Sequence, residues 1–321
     1  MKLVLAPMDG LTDPLMRDIL TQIACHGSPV SSDQSSQTSN PIGYDWCVSE
    51  FIRVTSTLHG KQVIYRYCPE ALTDWKTRAG TPVHPQFLGS DPACLADNAA
   101  RAAELGAPAI DLNFGCPAKT VNKHRGGAVL LDEPELIHSI VSAVRRAVPE
   151  SVPVSAKIRL GYADASVALD VAQAVESAGA AWLTVHARTK TQGYKPPAYW
   201  ELIKPLSEAL SIPVIANGEV WTVEEANFAL ERSGCTDLML GRGAVTRPDL
   251  VRRLRGGSEM SYEELRPWFE YFLNNETNNP KGQLGRFKQW FGLLGRGYEE
   301  ALEEWKGIKS LQSSKLPTLQ A

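Results

Sequence analysis

The sequence predicts a closed (β/α)8 barrel of the TIM type over residues 1–248, followed by a small helical domain over 249–321. Three observations carry this. Eight short blocks rich in Val, Ile and Leu recur through the first 241 of 321 residues, amphipathic Ala-rich segments lie between most of them, and after Pro248 the alternation stops while helical periodicity continues. An open doubly wound sheet is the other arrangement such alternation permits; the number of blocks and the chain length favour closure.

The strand-like blocks are Leu3–Pro7, Trp46–Phe51, His84–Leu88, Ala109–Asn113, Val154–Arg159, Trp182–His186, Val214–Asn217 and Asp237–Gly241. The intervening CLADNAARAAELGA, PELIHSIVSAVRRAVPE and VALDVAQAVESAGA each combine helical spacing with a Gly or Pro stop. Residues 26–43 hold six serines and read as a flexible loop inserted before the second strand, most simply a spacer. The last 70 or so residues contain Trp268, Trp290 and Trp305, whose bulk is expected to supply the core of a small helical unit.

Composition narrows the class. At 43% hydrophobic and 21% charged residues the chain is neither disordered nor fibrous. The N-terminus has one Lys and a four-residue apolar run, Leu3 to Ala6, before Pro7, and no stretch reaches the roughly 18 to 20 apolar residues of a membrane helix. Six scattered cysteines without a CxxC pair support neither a zinc site nor a disulfide framework. The expectation is a soluble, cytoplasmic monomer with free thiols, no metal and no membrane partner. A net charge of −3 with a pI near 6.1 argues, on its face, against a polyanionic partner.

Polar residues at the ends of buried strands need a reason. Period-two alternation puts Asp111 and Asn113 on one face of the fourth strand, Ser155, Lys157 and Arg159 on one face of the fifth, and Thr184 and His186 on one face of the sixth. Lys157 and His186 then point to the C-terminal mouth, where barrels of this kind build their sites, together with Gln86 and Asn217 at other tips. The last two strands end in NGEV, from Asn217, and GRGA, from Gly241. Glycines there let backbone N–H groups approach a phosphate, with Arg242 as a charge partner.

The most specific local signal is NFGCPAKTVNKHRGGA, from Asn113 to Ala128. Cys116 lies on a loop just past a strand tip, exposed to the active-site mouth, and Lys119, Lys123, His124 and Arg125 are expected to surround it with positive charge. A cysteine in such a place is commonly a small packing residue, but this polar, glycine-bounded loop offers little to pack against.

With LAPMDGLTD, EFIRV, NFGCPAKTVN, AKIRLG, VHARTKTQGY, IANGEV and LGRGA in place, the chain resembles the tRNA-dihydrouridine synthases over nearly its whole length, residues 26–43 excepted. RFKQW, from Arg286 to Trp290, and the Cys–Pro–x–Lys–Thr–Val loop point within that family to the members acting at uridine 16 of the D-loop. The resemblance implies FMN across the barrel mouth, with Pro7, Met8 and Asp9 beside the isoalloxazine, Gln86 and Lys157 on its polar edge and His186 nearby. Its phosphate would lie among Asn217, Gly218, Glu219, Gly241 and Arg242. NADPH, or NADH, would reduce the flavin, and a visiting reductant fits the lack of a dinucleotide fingerprint.

The same resemblance implies hydride transfer to C6 of uracil and protonation of C5 by Cys116. A thiol of ordinary pKa, about 8.5, is mostly protonated at neutral pH and suits that role. Matching positions imply Arg53, Asn113, Tyr194, Arg286 and Lys288 as tRNA contacts. The window between Glu276 and Glu299 holds Lys281, Arg286, Lys288 and Arg296 without an acid, and reads equally well as a solvated helix face. Residues 1–248 carry 22 basic and 26 acidic side chains and residues 249–321 carry 11 and 10, so tRNA binding predicts a local, salt-sensitive footprint on the Cys116 loop and the 281–296 segment, with the rest of the surface neutral or acidic. A flavin barrel acting on a free pyrimidine such as dihydroorotate, an aldolase using Lys157 as a Schiff-base lysine, and a non-catalytic RNA-binding protein are the rival readings.

Overall fold

A computed structural model describes residues 1–26, 43–276 and 280–311. Its strands are β1 (Leu3–Leu5), β2 (Trp46–Arg53), β3 (Val83–Leu88), β4 (Ile110–Phe114), β5 (Val154–Arg159), β6 (Trp182–His186), β7 (Val214–Asn217) and β8 (Asp237–Leu240). Each pairs in parallel with the next, and β8 pairs with β1, closing an eight-stranded barrel. The helices are α1 (Pro14–His26), α2 (Lys61–Tyr67), α3 (Pro92–Glu104), α4 (Lys119–Lys123), α5 (Pro134–Ala147), α6 (Ala168–Ser177), α7 (Lys204–Ala209) and α8 (Val223–Ser233). After β8 come α9 (Arg242–Thr246), α10 (Leu250–Leu254), α11 (Tyr262–Asn275), α12 (Pro280–Leu294) and α13 (Glu299–Ile308).

The predicted blocks and the strands differ by a residue or two, for local reasons. Ala6 N still donates to Leu240 O at 2.8 Å, but Pro7 has no N–H with which to continue the ladder. The second strand runs on to Arg53 because a register shift between Val48 and Phe51 restores pairing with β3. Of the predicted insertion, residues 27–42 lie outside the described residues.

Alternation along the strands builds two apolar layers. Leu3, Leu5, Val83, Phe87, Leu112, Phe114, Val154, Ala156 and Ile158 face the helices and join the large core. Their neighbours face inward: Val4, Ala6, Val48, Ile215 and Met239 form a small separate cluster with Trp46 and Trp182 packed on it. His84 stacks on Trp46 with ring centroids 5.4 Å apart, at the N-terminal end of the strands. The inner positions toward the C-terminal end are polar: Gln86, Asp111, Asn113, Ser155, Arg159, His186 and Asn217 are all buried. An apolar floor beneath a polar mouth is the arrangement that places a site at this end.

Helix boundaries follow the capping chemistry in the sequence. Asp91 accepts from Cys94 N at 2.8 Å ahead of Pro92 to start α3, and Thr222 with Glu225, and Ser261 with Glu264, form capping boxes for α8 and α11. The α11–α13 region is held by Trp268, Phe269, Phe272, Phe287, Trp290 and Phe291, with Phe287 and Phe291 centroids 4.6 Å apart. Trp305 is only partly buried on that core. The aromatics of the basic window are therefore packing residues. Arg286 ties α12 to the barrel, donating to the carbonyls of Gly10 and Leu11 and pairing with Asp13. Among the described residues no helix is long and apolar enough to cross a membrane, and no group of His, Cys, Asp or Glu is gathered to hold a metal.

Candidate active site

A cavity of about 520 Å³ opens at the C-terminal mouth of the barrel. It is lined by Pro7, Met8, Asp9, Gln86, Asn113, Cys116, Lys157, His186, Tyr194, Asn217, Gly218, Glu219, Gly241 and Arg242. These come from the tips of seven strands, so chain segments over 230 residues apart converge through barrel closure alone. The volume lies in the usual range for cofactor pockets, roughly 300–1,000 Å³.

Lys157 Nζ donates to Asn217 Oδ1 at 3.0 Å, and Asn217 Nδ2 donates to the Met239 carbonyl at 2.8 Å. Burial, reinforced by the charge of Arg159, pushes the Lys157 ammonium down to about 8, with Asp111 opposing the shift. It remains mostly cationic at neutral pH. His186 is the opposite case: burial, then the charges of Arg159, Lys157, Arg188 and Arg242, hold it well below the usual imidazole range, so its ring is neutral.

Cys116 is half-buried on the cavity wall. Its carbonyl accepts from Ala128 N at 3.0 Å and from Asn122 Nδ2 at 2.9 Å, and its N–H donates to Asn113 Oδ1 at 2.9 Å. Gly127 is required here: at φ +66°, an added Cβ would lie 2.7 Å from that carbonyl oxygen. Burial raises the thiol above the ordinary range; an Ala118 N–H and the charges of Arg159 and Lys157 pull the other way, and Asp9 adds to the rise. The cations that face the sulfur are thus those of β5. Lys119, Lys123, His124 and Arg125, adjacent in sequence, are exposed on the outer side of the loop.

Arg159 joins the two lips of the cavity. Its Nε donates to Gly115 O at 2.8 Å and its Nη1 to Thr189 O and Gly193 O, with its guanidinium 5.1 Å from the Tyr194 ring centroid. Arg242 flanks the same ring at 5.0 Å and stacks on Trp221 at 5.1 Å, and Arg296 of the helical region lies 4.4 Å from Trp221 on its own account. Tyr194 is 53% exposed at the rim.

The predicted phosphate region is built from glycines and arginines. Gly218 has φ +118°, and a Cβ there would come 3.2 Å from the His186 ring; one on Gly241 would lie 3.3 Å from Met8 Sδ. Glu219 pairs with Arg188 and, at 3.5 Å, with Arg242. Burial opposes its ionisation, but hydrogen bonds from Arg188 and Trp221 prevail and hold it below the usual carboxylate range. The other arm of Arg188, Nη1, is buried without a hydrogen-bond partner. Arg188 itself stands behind the cavity wall, so the face that fits an anion is the glycines with Arg242.

Three predicted residues lie elsewhere. Arg53 lines a second cleft, about 420 Å³, with Lys123, His124, Arg125 and Ser90, across the Cys116 loop from the cavity. Arg286 is engaged by the Gly10–Asp13 turn, and Lys288 Nζ donates to Lys309 O and Leu311 O at the end of α13. Other cavity residues, Phe51, Trp221 and Gln289, were not legible as such. Gln289 reaches the cavity from α12, oriented by a 2.8 Å hydrogen bond from Arg286. Trp221 follows NGEV directly, and that adjacency was the one available signal.

The family model for dihydrouridine synthase (Dus) matches residues 4–275. The chain is 50% identical over 320 residues to the tRNA-dihydrouridine(16) synthase of Aquipseudomonas alcaligenes, covering 97% of this chain and 96% of that protein. It is 44% identical over 323 residues to the protein of the same name from Neisseria meningitidis serogroup B, covering 98% and 91%. Among solved structures, the old yellow enzyme homologue from Zymomonas mobilis matches with a TM-score of 0.52 at 13% identity, over 82% of this chain and 91% of that one, a likeness of fold alone. On a family match spanning the whole barrel and the first helix beyond α10, joined by near full-length identity of this order, the chain belongs to the dihydrouridine synthase family.

Proposed function

We propose that this protein reduces uridine to 5,6-dihydrouridine in tRNA, at position 16 of the D-loop, with FMN as its resident cofactor and NADPH, or NADH, as reductant. The observation that carries the reading is the convergence, in one cavity of a chain of this family, of a protonated thiol, a partly buried cation and a glycine-lined wall with an arginine. Residues 1–248 are read as the catalytic barrel and 249–321 as the tRNA-binding helical part.

The residues present fit FMN. Asn217, Gly218, Glu219, Gly241 and Arg242 would hold its phosphate, in a cradle that a Cβ on Gly218 or Gly241 would crowd, with Arg188 fixing Glu219 from behind. Pro7, Met8 and Asp9 would flank the ring system, and Gln86, Lys157 and His186 would meet its polar edge. When bound, FMN supplies the hydride that goes to C6 of the uracil.

Lys157 supplies positive charge where negative charge accumulates, and it does so in a buried site where each charge acts more strongly than in water. His186, neutral, hydrogen-bonds without adding charge. Cys116 holds a proton at neutral pH and delivers it to C5, and Lys157 and Arg159 face the thiolate that remains. The thiol regains its proton from solvent before the next turnover.

A uracil enters such a cavity only when extruded from the folded RNA. Tyr194, exposed at the rim with Arg159 and Arg242 against its ring, is placed to meet the extruded nucleotide, and Asn113 offers an amide beside the thiol. Arg53 and the cations of its cleft extend the basic surface past the Cys116 loop, and Arg286 and Lys288 border the RNA path while holding α12 to its neighbours.

The test is direct. Purified protein should carry a yellow chromophore with flavin absorbance, and with NADPH and unmodified tRNA it should produce dihydrouridine mapped to position 16. Colourless protein that cannot be reconstituted with FMN would remove the reading; dihydrouridine at another position would remove the position alone. Orotate in place of tRNA should leave the reduced flavin unoxidised.

A further inference from the structure

Asp111 lies 1% exposed on β4, on the inner face shared with Asn113. Its Oδ1 accepts from Ser155 Oγ at 2.6 Å and its Oδ2 from Gln86 Nε2 at 2.6 Å. Gln86 Oε1 in turn accepts from Asn113 Nδ2 at 2.7 Å. Asn113 Oδ1 accepts from the backbone N–H groups of Gly115, at 3.0 Å, and Cys116, at 2.9 Å. The chain runs from β5 through β4 to β3 and back to the Cys116 loop, with Asp111 in register with Gln86 on one side and Ser155 on the other.

We infer that Asp111 is a positioning residue for Cys116: its carboxylate sets, through the amides of Gln86 and Asn113, the orientation of the backbone from which the thiol projects. The polarity of the chain is fixed from its loop end. Two backbone N–H groups, which only donate, hold Asn113 Oδ1, so the Asn113 NH2 must face Gln86 Oε1 and the Gln86 NH2 must face the Asp111 carboxyl, a single self-consistent orientation. Turning Asn113 over would set its NH2 against two N–H donors; turning Gln86 over would set its carbonyl against the carboxylate. In a buried network each such conflict costs more than the hydrogen bond itself.

The orientation also leaves one N–H on each amide uncommitted, on two residues that line the cavity. The wall beside the thiol therefore presents a donor from Asn113, which suits the carbonyl edge of a uracil, while that of Gln86 falls to the polar edge of the flavin. Burial raises the Asp111 carboxyl, whereas the hydrogen bonds from Gln86 and Ser155 and the charge of Lys157 favour its ionised form. Strand residues hold the carboxylate more rigidly than a loop would, which is why its influence reaches a loop thiol without touching it.

The inference rests on the proposed role of Cys116 only for its catalytic consequence; the geometric part is tested without tRNA or reductant. The rate at which iodoacetamide alkylates Cys116 is followed by peptide mass spectrometry, with the partly exposed Cys94 on α3 as internal standard. Asp111→Asn, whose own amide can satisfy Gln86 in either sense, should alkylate at least threefold faster at Cys116, and Asp111→Ala faster still, with Cys94 unchanged. In an Asn113→Ala background Asp111→Asn should add less than twofold. Unchanged Cys116 rates, the same increase in the Asn113→Ala background, or Cys94 rising in step would each overturn the inference. Should Asp111→Ala fail to fold, Asp111→Asn carries the test. In wild-type protein shown to make dihydrouridine, Asp111→Asn should lower the rate of flavin reoxidation by tRNA while reduction by NADPH stays within twofold; equal loss in both steps would mean a merely structural role.

Discussion

Lys157 and Asn217 meet across the barrel, ammonium to amide oxygen at 3.0 Å, and the amide is locked from behind by the Met239 carbonyl. This pair holds a cation inside the cavity at a depth where burial has already brought it to about 8. Because the folded value is depressed, the charge is largely present at pH 7, half lost at about 8 and mostly gone at pH 9. The rate of dihydrouridine formation should therefore fall as pH rises through 8 and not as it falls. Lys157→Ala should lower the plateau by about 100-fold, the usual effect of removing one preorganised charge, and should abolish that limb. A pH–rate profile of both proteins is the check.

Cys116 offers a second titration at higher pH, since burial lifts its thiol above the ordinary range. Cys116→Ala should lose about 100-fold or more in product formation while retaining flavin and tRNA affinity, the scale of a missing general acid. Product mapping under single turnover distinguishes this from loss of binding.

Arg159 ties the Cys116 loop, through Gly115 O, to the Thr189–Gly193 segment that leads to Tyr194. Arg159→Gln leaves those carbonyls without a cationic partner. It should raise the KM for tRNA and lower kcat together, because both lips of the cavity depend on it. Arg159→Lys should recover little, as one ammonium cannot reach three carbonyls in the guanidinium's geometry.

Gly218 occupies a φ that L residues rarely adopt, against the His186 ring. Gly218→Ala should cost about 1–3 kcal/mol of backbone strain and release flavin on gel filtration, whereas an exposed control such as Gly285→Ala, with open space at its Cβ, should retain it.

Arg286 separates a structural from an RNA-reading role. Its guanidinium holds the Gly10–Asp13 turn that follows Pro7, Met8 and Asp9. Arg286→Ala should lower both the melting temperature and flavin retention, and not the tRNA affinity alone. A change confined to tRNA binding would assign it to the RNA.

The barrel was legible because short apolar blocks recur between amphipathic helical segments, and in β4, β5 and β6 the alternation also shows inner members that turn polar. That alternation pointed Lys157 and His186 to the mouth and put Asn113 on one face of its strand, while Gln86 and Asn217 stood out by their positions at strand tips. Partnerships across the fold were not legible. That Arg159 rather than Lys119 or Arg125 faces the thiol depends on the outward turn of α4, and that Gln289 enters the cavity depends on α12 docking against the Gly10–Asp13 turn, contacts between segments more than 270 residues apart. Arg286 and Lys288 stand out in sequence by charge, while the carbonyls that engage them come from distant turns.

The most direct measurement uses anaerobic protein, reduced by one equivalent of NADPH and freed of excess, mixed with unmodified tRNA while flavin absorbance is followed. Wild type should reoxidise once and yield one dihydrouridine at position 16 per flavin, and Cys116→Ala should reoxidise at least 100-fold more slowly. Reduced flavin indifferent to tRNA, or a Cys116→Ala protein as fast as wild type, would contradict the proposed chemistry at its centre.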